Sequence, residues 1–209
     1  MHRVEGNNNP ETSISEESWT ARSGAPLTLR SARAADQDGL RAFIDSLSRE
    51  SRYFRFLTGG RVADEIIHGF VSHRPERDVA LVVTTPNSSG GESIVANAEY
   101  VVNAENVAEL AVVVADDWQG QGLGRRLIRR LQHTARSRKI RGLRGDVLSE
   151  NRRMLAIMRD CGFSARRNPE DSLLHEVSLA LDAMPIRTQA TQPSAASGNW
   201  LPHDWFELN

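Results

Sequence analysis

The feature that most constrains this chain is an apolar run followed at once by a glycine-rich turn and a basic amphipathic segment. Residues 110–115 are continuously apolar, which favours a buried strand. The turn at 119–124 reads Q-G-Q-G-L-G. After it, apolar side chains recur at spacings of three and four, which predicts a helix with one buried face. These side chains are Leu123, Leu127, Ile128, Leu131 and Ala135.

A strand, a glycine turn and a helix start in this order are suited to binding an anion. The first N–H groups of a helix have no partner within the helix, and glycine lets the backbone approach phosphate oxygens closely. Arginines near the helix start would add charge-assisted hydrogen bonds. They are Arg125, Arg126, Arg129 and Arg130. The alternative interpretation is a solvated arginine face behind a tight turn.

Two common phosphate-binding motifs do not fit this turn. The dinucleotide fingerprint requires G-x-G-x-x-G, whereas the spacing here is Q-x-x-G-x-G. The Walker loop requires Gly-Lys followed by Ser or Thr, and no such sequence is present. The anion would therefore be held by a different kind of loop.

Gln119, Gly122 and Gly124, in the spacing Q-x-x-G-x-G, resemble the acyl-CoA pyrophosphate loop of the GNAT N-acetyltransferase superfamily. Upstream, residues 108–114 are similar to the central fourth strand of that superfamily. Downstream, Asn151 opens the sequence N-R-R-M, and C-G-F follows at 161–163, similar to the last helix of the superfamily and the G-F after it.

A further segment points to one branch of the superfamily. Residues 48–56, S-R-E-S-R-Y-F-R-F, are similar to a segment of the bacterial protein lysine acetyltransferase (Pat-like) branch. Together the similar segments cover about residues 27–182. The resemblance implies an α/β (α+β) GNAT fold, with a mixed twisted sheet of about seven strands and about four helices, splayed between strands 4 and 5.

Apolar periodicity and turn residues predict elements in an order that suits a layered α/β fold. The predicted strands cover 27–33, 79–85, 94–102, 107–115, 142–148, 163–166 and 173–181. The predicted helices cover 36–47, with Asp36 as the cap, and 62–71, 123–139 and 151–160.

Composition divides the chain into three parts. Residues 1–26 are polar and predict a disordered N-terminal segment. The acetyltransferase domain is expected at 27–182, and 183–209 is expected to be a linker followed by an aromatic tail. The tail would dock either on its own domain or on a partner.

Several classes of partner are disfavoured by composition. A net charge of -1 gives no basic excess for binding nucleic acid. No apolar run reaches the roughly 18 residues that a membrane helix needs, and the N-terminus is polar, so a cytoplasmic protein is expected. The six histidines form no Cys/His cluster, so no metal is expected. A single cysteine excludes an intrachain disulfide.

The resemblance also assigns the residues that would bind acetyl-CoA, the co-substrate of the superfamily. Pantetheine would lie between the splayed strands, and the backbone of residues 120–125 would hold the pyrophosphate. The N–H of Val113 is the candidate donor to the oxyanion. Asn151 is both a favoured helix cap and the position that contacts pantetheine. The full set is Val112, Val113, Val114, Gln119, Gly120, Gln121, Gly122, Leu123, Gly124, Arg125 and Asn151.

Glu109 is the candidate general base. On a strand it shares a face with Ala111 and Val113, so partial burial would raise the pKa of its carboxyl toward neutrality. In the Pat-like branch a glutamate at the matching Ala-Glu-(apolar) position is the base. The alternative is a strand-edge glutamate paired with one of the many arginines.

Two residues near the last helix bear on the mechanism. Many superfamily members have a tyrosine seven residues after the asparagine, which protonates the leaving thiolate, and here that position is Met158. A thiol with a pKa near 8.5 can leave as the thiolate, so the difference does not exclude catalysis. Cys161 could act as a nucleophile in a two-step route, although a buried structural thiol is the favoured interpretation.

The aromatic residues of 48–56 lie in a region that covers the acceptor site in the superfamily. Phe54 and Phe56 are expected to form an apolar seam between the first two helices, and the role of Tyr53 is left open.

The sequence therefore predicts an acetyl-CoA-dependent N-acetyltransferase. The expected acceptor is a lysine side chain of a protein, acetylated by direct transfer in a ternary complex with Glu109 as base. One alternative is an acetyltransferase for a small amine or antibiotic. The other is a non-catalytic acyl-CoA-binding sensor.

Overall fold

The computed structural model describes residues 14–72, 74 and 76–182, which form an eight-stranded sheet and five α-helices. The strands are β1 Glu17–Thr20, β2 Pro26–Ser31, β3 Val79–Pro86, β4 Glu92–Val102, β5 Val107–Val114, β6 Gly142–Leu148, β7 Ser164–Arg167 and β8 Leu174–Ala180. The helices are α1 Gln37–Ser46, α2 Arg49–Phe56, α3 Asp64–Val71, α4 Leu123–Ser137 and α5 Arg152–Asp160. Every strand and helix predicted from the sequence is present, with ends that differ by a few residues.

The sheet has the order β1-β2-β3-β4-β5-β6-β8-β7, and all neighbours are antiparallel except β5 and β6. β5 and β6 pair only at their beginnings, from Val107 opposite Gly142 to Glu109 opposite Arg144. Beyond this point β5 stays paired with β4 and β6 with β8, but β5 and β6 no longer pair with each other, so the sheet divides. This is the predicted splay, and the additional strand β1 is the reason why it falls between the fifth and sixth strands.

Two apolar cores cover the faces of the sheet. The larger core packs α4 and α5 against one face, and the smaller packs α1 and α3 against the other. β3 contributes to both because side chains alternate along a strand: Leu81 and Val83 enter the larger core, and Ala80 and Val82 the smaller. Helices on both faces hold the two halves of the divided sheet in place.

The N-terminal segment differs from the prediction. Disorder was expected over 1–26, and this is wrong for β1, which pairs with β2 through Trp19 opposite Leu27. Glu17 forms ion pairs with Arg126 and Arg130 of α4, and the Arg126 guanidinium lies 4.0 Å from the centroid of the Trp19 ring. These contacts span more than one hundred positions, so local composition does not reveal them. Residues 1–13 and the predicted tail at 183–209 lie outside the described residues.

Asp36 occupies the position before α1 but does not cap it. Its carboxylate accepts hydrogen bonds from the Arg30 guanidinium at 2.7 and 2.8 Å and from the Arg33 N–H at 2.7 Å. Burial would raise the pKa of Asp36, but these donors outweigh it and hold the pKa below its usual value. The predicted capping role is wrong because the Asp36 carboxylate is hydrogen-bonded to the buried Arg30 guanidinium instead of to the helix amides.

α2 was not predicted as a helix. Its first residue follows Ser48, whose side chain accepts a hydrogen bond from the Ser51 N–H and so caps the helix. The helix has eight residues, which is too short for a clear apolar repeat. In the part of the chain that the structure describes, no helix has the length and apolar character needed to cross a bilayer.

Candidate active site

A cavity of about 550 Å³ opens where β5 and β6 separate. Residues 110–114 of β5 and 145–148 of β6 form its walls, α2 lines one side, and the β5–α4 loop and α5 line another. This volume is within the range of roughly 300–1,000 Å³ that is usual for ligand sites. The predicted site residues that line it are Glu109, Val112, Val113, Val114, Gln119, Gly120, Gly122, Leu123, Gly124, Arg125 and Asn151.

Gln121 is the predicted cofactor residue that does not line the cavity. Its side-chain amide donates to the carbonyl of Asp117 at 3.3 Å, within the same loop. The sequence analysis placed Gln121 in the segment 120–125, whose backbone would hold the pyrophosphate, and this role stays a prediction.

The glycine loop is shaped by two left-handed residues. Gly120 has a φ of 78° and Gly122 a φ of 91°, a region in which a side chain is strained. Gly122 directly precedes α4, and the first intrahelical bond runs from the Arg126 N–H to the Gly122 carbonyl. The N–H groups of residues 123–125 thus have no partner in the helix, and these residues line the cavity. This end of the cavity suits a phosphate group.

Three arginines of α4 form ion pairs with carboxylates of the protein. Arg125 pairs with Asp160, and Arg126 and Arg130 pair with Glu17 of β1. The prediction that the basic face of α4 serves the anion is therefore wrong for Arg126 and Arg130, which hold β1 instead. Arg125 still lines the cavity beside its ion pair.

Arg153 of α5 is the cation at the glycine loop, and the sequence analysis did not assign it a role. Its Nη1 donates to Gln119 Oε1 at 2.8 Å, and its Nη2 lies 3.1 Å from where a Cβ on Gly120 would be. The Arg153 guanidinium therefore packs against the loop backbone, in the space that a side chain at position 120 would occupy. The only signal in the sequence was its place in the N-R-R-M motif.

Gln119 is held by protein groups on several sides. Its Nε2 donates to the Ser51 hydroxyl at 3.1 Å and to the Val114 carbonyl at 3.2 Å, while Oε1 accepts from Arg153. The side chain thereby connects the loop to β5, α2 and α5. Within the described structure it positions the loop.

Asp116 ties the same loop to the start of α2. Its carboxylate accepts from the N–H and hydroxyl of Ser48 at 2.9 and 2.8 Å and from the Ser51 hydroxyl at 2.7 Å. Desolvation would raise the pKa of Asp116, but these three donors outweigh it and keep the pKa below its usual value. The helix that lines one side of the cavity is thus anchored to the loop that lines another.

Hydrogen bonding along β5 shows which backbone amides face the gap. Ala115 donates its N–H to the Val95 carbonyl at 2.9 Å, so its amide points toward β4. Amides alternate along a strand, and therefore the N–H of Val113 also points toward β4, whereas those of Val112 and Val114 point toward β6. The predicted oxyanion donor, Val113, is wrong for this reason. The Leu110 N–H faces β6 next to the last pair, Glu109 opposite Arg144, and the Val112 N–H is the following one on that side, within the gap.

Glu109 lies at the inner end of the cavity, at the last residue pair before the strands separate. Burial raises the pKa of its carboxyl to about 7, helped by the charge of Asp146 and opposed by Arg144 and Arg55. Arg144 Nη2 is 3.6 Å from Glu109 Oε2, and the Glu109 side chain is 19% exposed. Both sequence interpretations describe part of this geometry, since Glu109 is paired with an arginine and also has a raised pKa.

A second buried carboxylate, Glu99 of β4, was not identified from the sequence. It lies opposite Ala111, on the same face of the sheet as Glu109, and accepts a hydrogen bond from Arg55 of α2. Burial raises its pKa to about 7 against the opposing effect of Arg55. The pairing of β4 with β5 and the position of α2 bring these groups together.

The other predicted residues of α5 have clear positions. Asn151 Oδ1 accepts from the Met154 N–H at 3.0 Å, which confirms the helix cap. Met158 is buried and lines the cavity, so no hydroxyl is present at that position. Cys161 directly follows α5, is half-buried and does not line the cavity, and burial raises the pKa of its thiol. A protonated thiol outside the cavity is unsuited to act as the nucleophile.

The aromatic residues of α2 separate into two groups. Phe56 is buried in the smaller core, 6.4 Å from Phe70 between ring centroids, which confirms the apolar seam for this residue. Phe54 instead lines the cavity, so the seam prediction is wrong there. Tyr53 packs beside Phe54 at 6.3 Å between ring centroids and does not line the cavity. α2 therefore directs Phe54 toward the cavity and Phe56 toward the smaller core.

Comparison with known proteins identifies the family. The model of the acetyltransferase (GNAT) family matches residues 28–163. An acetyltransferase of Pseudomonas aeruginosa is 30% identical over 159 residues, covering 75% of this chain and 86% of that protein. The chain belongs to the GNAT acetyltransferase family. It is therefore an N-acetyltransferase that uses acetyl-CoA as its co-substrate.

Solved GNAT structures share the fold. The GNAT domain of S. lividans PAT superposes with a TM-score of 0.69 at 24% identity, covering 79% of this chain and 96% of that domain. yncA, described as a putative acetyltransferase from Salmonella typhimurium, was solved with acetyl-CoA as its cofactor. It has a TM-score of 0.59 at 19% identity, over 81% of this chain and 99% of that one. Among the described residues, no group of three or more His, Cys, Asp or Glu could hold a metal ion.

Proposed function

We propose that this GNAT enzyme acetylates lysine side chains of protein substrates by direct transfer in a ternary complex, with Glu109 as the general base. The observation that carries this proposal is the place of Glu109, at the inner end of the cavity between β5 and β6, where burial raises the pKa of its carboxyl to about 7. A base with a pKa near the working pH accepts a proton most effectively.

The proposed reaction uses few protein groups. Glu109 takes a proton from the acceptor ammonium, directly or through one water, and the free amine attacks the thioester carbonyl. The Val112 N–H donates to the oxyanion that develops on the carbonyl oxygen. The C–S bond then breaks, and the attacking nitrogen loses its second proton to solvent to leave the neutral amide. The thiolate takes its proton from solvent because the Met158 side chain has no proton to donate. The start of α4 and Arg153 hold the pyrophosphate.

The acceptor class is proposed from the side of the cavity that α2 lines. α2 is the segment that resembles the Pat-like branch, and it contributes Glu50, Phe54 and Arg55 to the cavity. Glu50, Glu109 and Asp146 place carboxylates around this region, which favours a cationic amine. The likeness to the S. lividans PAT domain is in keeping with this assignment at the level of the fold.

The test measures acetyl transfer to a panel of lysine-containing proteins, polyamines and aminoglycosides, together with acetyl-CoA binding by calorimetry. For Glu109→Gln, we expect turnover on protein to fall by about 10²- to 10⁴-fold while the acetyl-CoA Kd stays within about twofold. Glu105→Gln, in the exposed turn between β4 and β5, is the matched control and should keep full activity.

Three results would contradict the proposal in different ways. Full activity of Glu109→Gln would place the base elsewhere. Turnover limited to small amines would favour the small-molecule acetyltransferase. Tight acetyl-CoA binding without transfer to any acceptor would favour the acyl-CoA sensor.

A further inference from the structure

Arg55 is a buried cation that lines the cavity and is held by Glu99. The two side chains are 13% and 14% exposed, and they form an ion pair. The Arg55 guanidinium also lies 4.7 Å from the centroid of the Phe56 ring and 5.6 Å from that of Phe70. A buried guanidinium requires a partner, because its desolvation is otherwise uncompensated.

The register of the sheet places a second carboxylate close to this pair. Glu99 lies opposite Ala111, and Glu109 lies opposite Val101, so the two glutamates are diagonal neighbours on one face of β4 and β5. Diagonal positions are about 7 to 8 Å apart at the backbone, within reach of long side chains. Arg55 packs over this face from α2, and its charge acts on both carboxylates.

The remaining charged groups around Glu109 and its cavity lie on β6, on α2 and beside the glycine loop. Arg144 and Asp146 face it from β6, and Glu50 of α2 lines the same cavity. Arg125 and Arg153 line the cavity beside the glycine loop. Arg55 is thus one of the two cations whose charge acts on Glu109, and it forms its ion pair with a different carboxylate, that of Glu99.

We propose that Glu99 is a positioning residue for the reaction: it holds the Arg55 guanidinium and so keeps this cation from forming a direct ion pair with Glu109. This inference rests on the proposed role of Glu109 as the base. An arginine in direct contact lowers the pKa of a carboxyl by about 1 to 3 units, which would make Glu109 too weak a base at neutral pH. The ion pair of Glu99 with Arg55 therefore protects the basicity of Glu109 and touches no reacting atom itself.

The deciding experiment is the pH profile of kcat/KM for Glu99→Gln, measured in the wild-type background and in the Arg55→Met background. Glutamine keeps the size of the side chain but has no charge to hold the guanidinium. In the wild-type background, the acid limb should move to lower pH by about one unit or more as Arg55 turns to Glu109. In the Arg55→Met background, the same substitution should leave the limb nearly unchanged.

The two backgrounds separate this mechanism from a simple charge effect. An equal shift in both would mean that Glu99 acts on Glu109 directly and would overturn the inference, as would no shift in either. Thermal unfolding and acetyl-CoA binding establish that each variant is folded. If Glu99→Gln does not fold, Glu99→Asp takes its place, with a smaller shift in the same direction expected and with no shift again overturning the inference.

Failure of this inference is distinguishable from failure of the proposed function. An inactive Glu109→Gln enzyme combined with an unchanged Glu99→Gln profile would keep Glu109 as the base and remove the role of Glu99. An active Glu109→Gln enzyme would remove the base itself.

Discussion

Glu109 and Arg144 lie opposite each other in the last paired position of β5 and β6, and beyond them the two strands separate. The 3.6 Å ion pair therefore stands at the inner end of the cavity, where strand pairing gives way to a space for ligands. The same position buries the Glu109 carboxyl, so the point of the fold at which the sheet divides is also where a carboxyl pKa of about 7 arises.

Replacing Arg144 should weaken catalysis at neutral pH. Burial raises the pKa of Glu109, and the charge of Arg144 lowers it. Arg144→Met removes this lowering effect, so the pKa of Glu109 should rise above about 7. Because the rate depends on the deprotonated form, kcat/KM at pH 7 should fall several-fold and its acid limb should move to higher pH. The pH profile measures this effect. Arg141→Met, which removes an exposed arginine paired with Asp182, is the control, and equal profiles for the two variants would contradict the prediction.

Arg153 should contribute to binding through the phosphate part of the co-substrate. Loss of a charge-assisted hydrogen bond in Arg153→Ala should weaken acetyl-CoA binding by about 10- to 100-fold. Binding of S-acetylpantetheine, which lacks the pyrophosphate, should be unaffected. Calorimetry with both ligands tests this, and Arg152→Ala, an exposed neighbour on α5, should change neither affinity. Equal losses for both ligands would show that Arg153 does not act through phosphate.

Gly122 should be required both for stability and for binding. Its φ of 91° makes Gly122→Ala strained by about 1 to 2 kcal/mol, and relief of that strain would turn the first amides of α4 away from the cavity. Urea unfolding and acetyl-CoA calorimetry should therefore both report a loss. Gly90→Ala, with a φ of 80° in the turn between β3 and β4, should show the unfolding loss alone. An unchanged acetyl-CoA affinity in Gly122→Ala would contradict the role of the loop.

Asp116 should stabilise α2 and the acceptor side of the site. Asp116→Ala removes the acceptor of three hydrogen bonds from Ser48 and Ser51, and the free energy of unfolding should fall by about 1 kcal/mol at pH 7. The acceptor KM should rise more than the acetyl-CoA Kd, because α2 itself forms the proposed acceptor side, whereas the phosphate-binding groups lie on the loop and on α5. Steady-state kinetics and urea unfolding measure these effects.

The pH dependence of that stabilisation has a definite sign. The pKa of Asp116 is lower in the folded protein than its ordinary value of 3.8, so the stabilisation is present above that value and is lost as the pH falls through the folded pKa. The stability difference between wild type and Asp116→Ala should therefore shrink below about pH 4. Asp117→Ala, in the same exposed turn, is the control, and an equal loss there would contradict a specific role for Asp116.

Much of the fold could be predicted because its signals are local. α4 shows its apolar face at helical spacing, β6 has the predicted bounds Gly142–Leu148, and Asn151 caps α5 as its position before the helix indicated. Gly120 and Gly122 adopt the left-handed backbone that only glycine tolerates easily. Each of these features depends on residues within a few positions of one another.

The parts that were missed depend on contacts between distant segments. β1 was predicted to be disordered because its stabilising partners, Arg126 and Arg130, lie on α4. Arg126 and Arg130 were assigned to phosphate for the same reason, since their spacing on the helix does not reveal which carboxylate they meet. Val113 was predicted as the oxyanion donor in place of Val112. The direction of each backbone N–H depends on which strands pair, and the sequence of one strand does not show this.

The amino-acid sequence by itself determined the family resemblance, the strand–turn–helix unit that suits a phosphate group, and Glu109 as the carboxylate beside it. Only the tertiary structure decided that Glu99, paired with Arg55, lies on the same face of the sheet as Glu109. It also decided that Arg153 packs on Gly120 and that Asp116 ties α2 to the loop. The physical reason is that backbone preference and apolar periodicity act over a few residues. Burial, ion pairing and pKa instead depend on which segments the folded chain brings together.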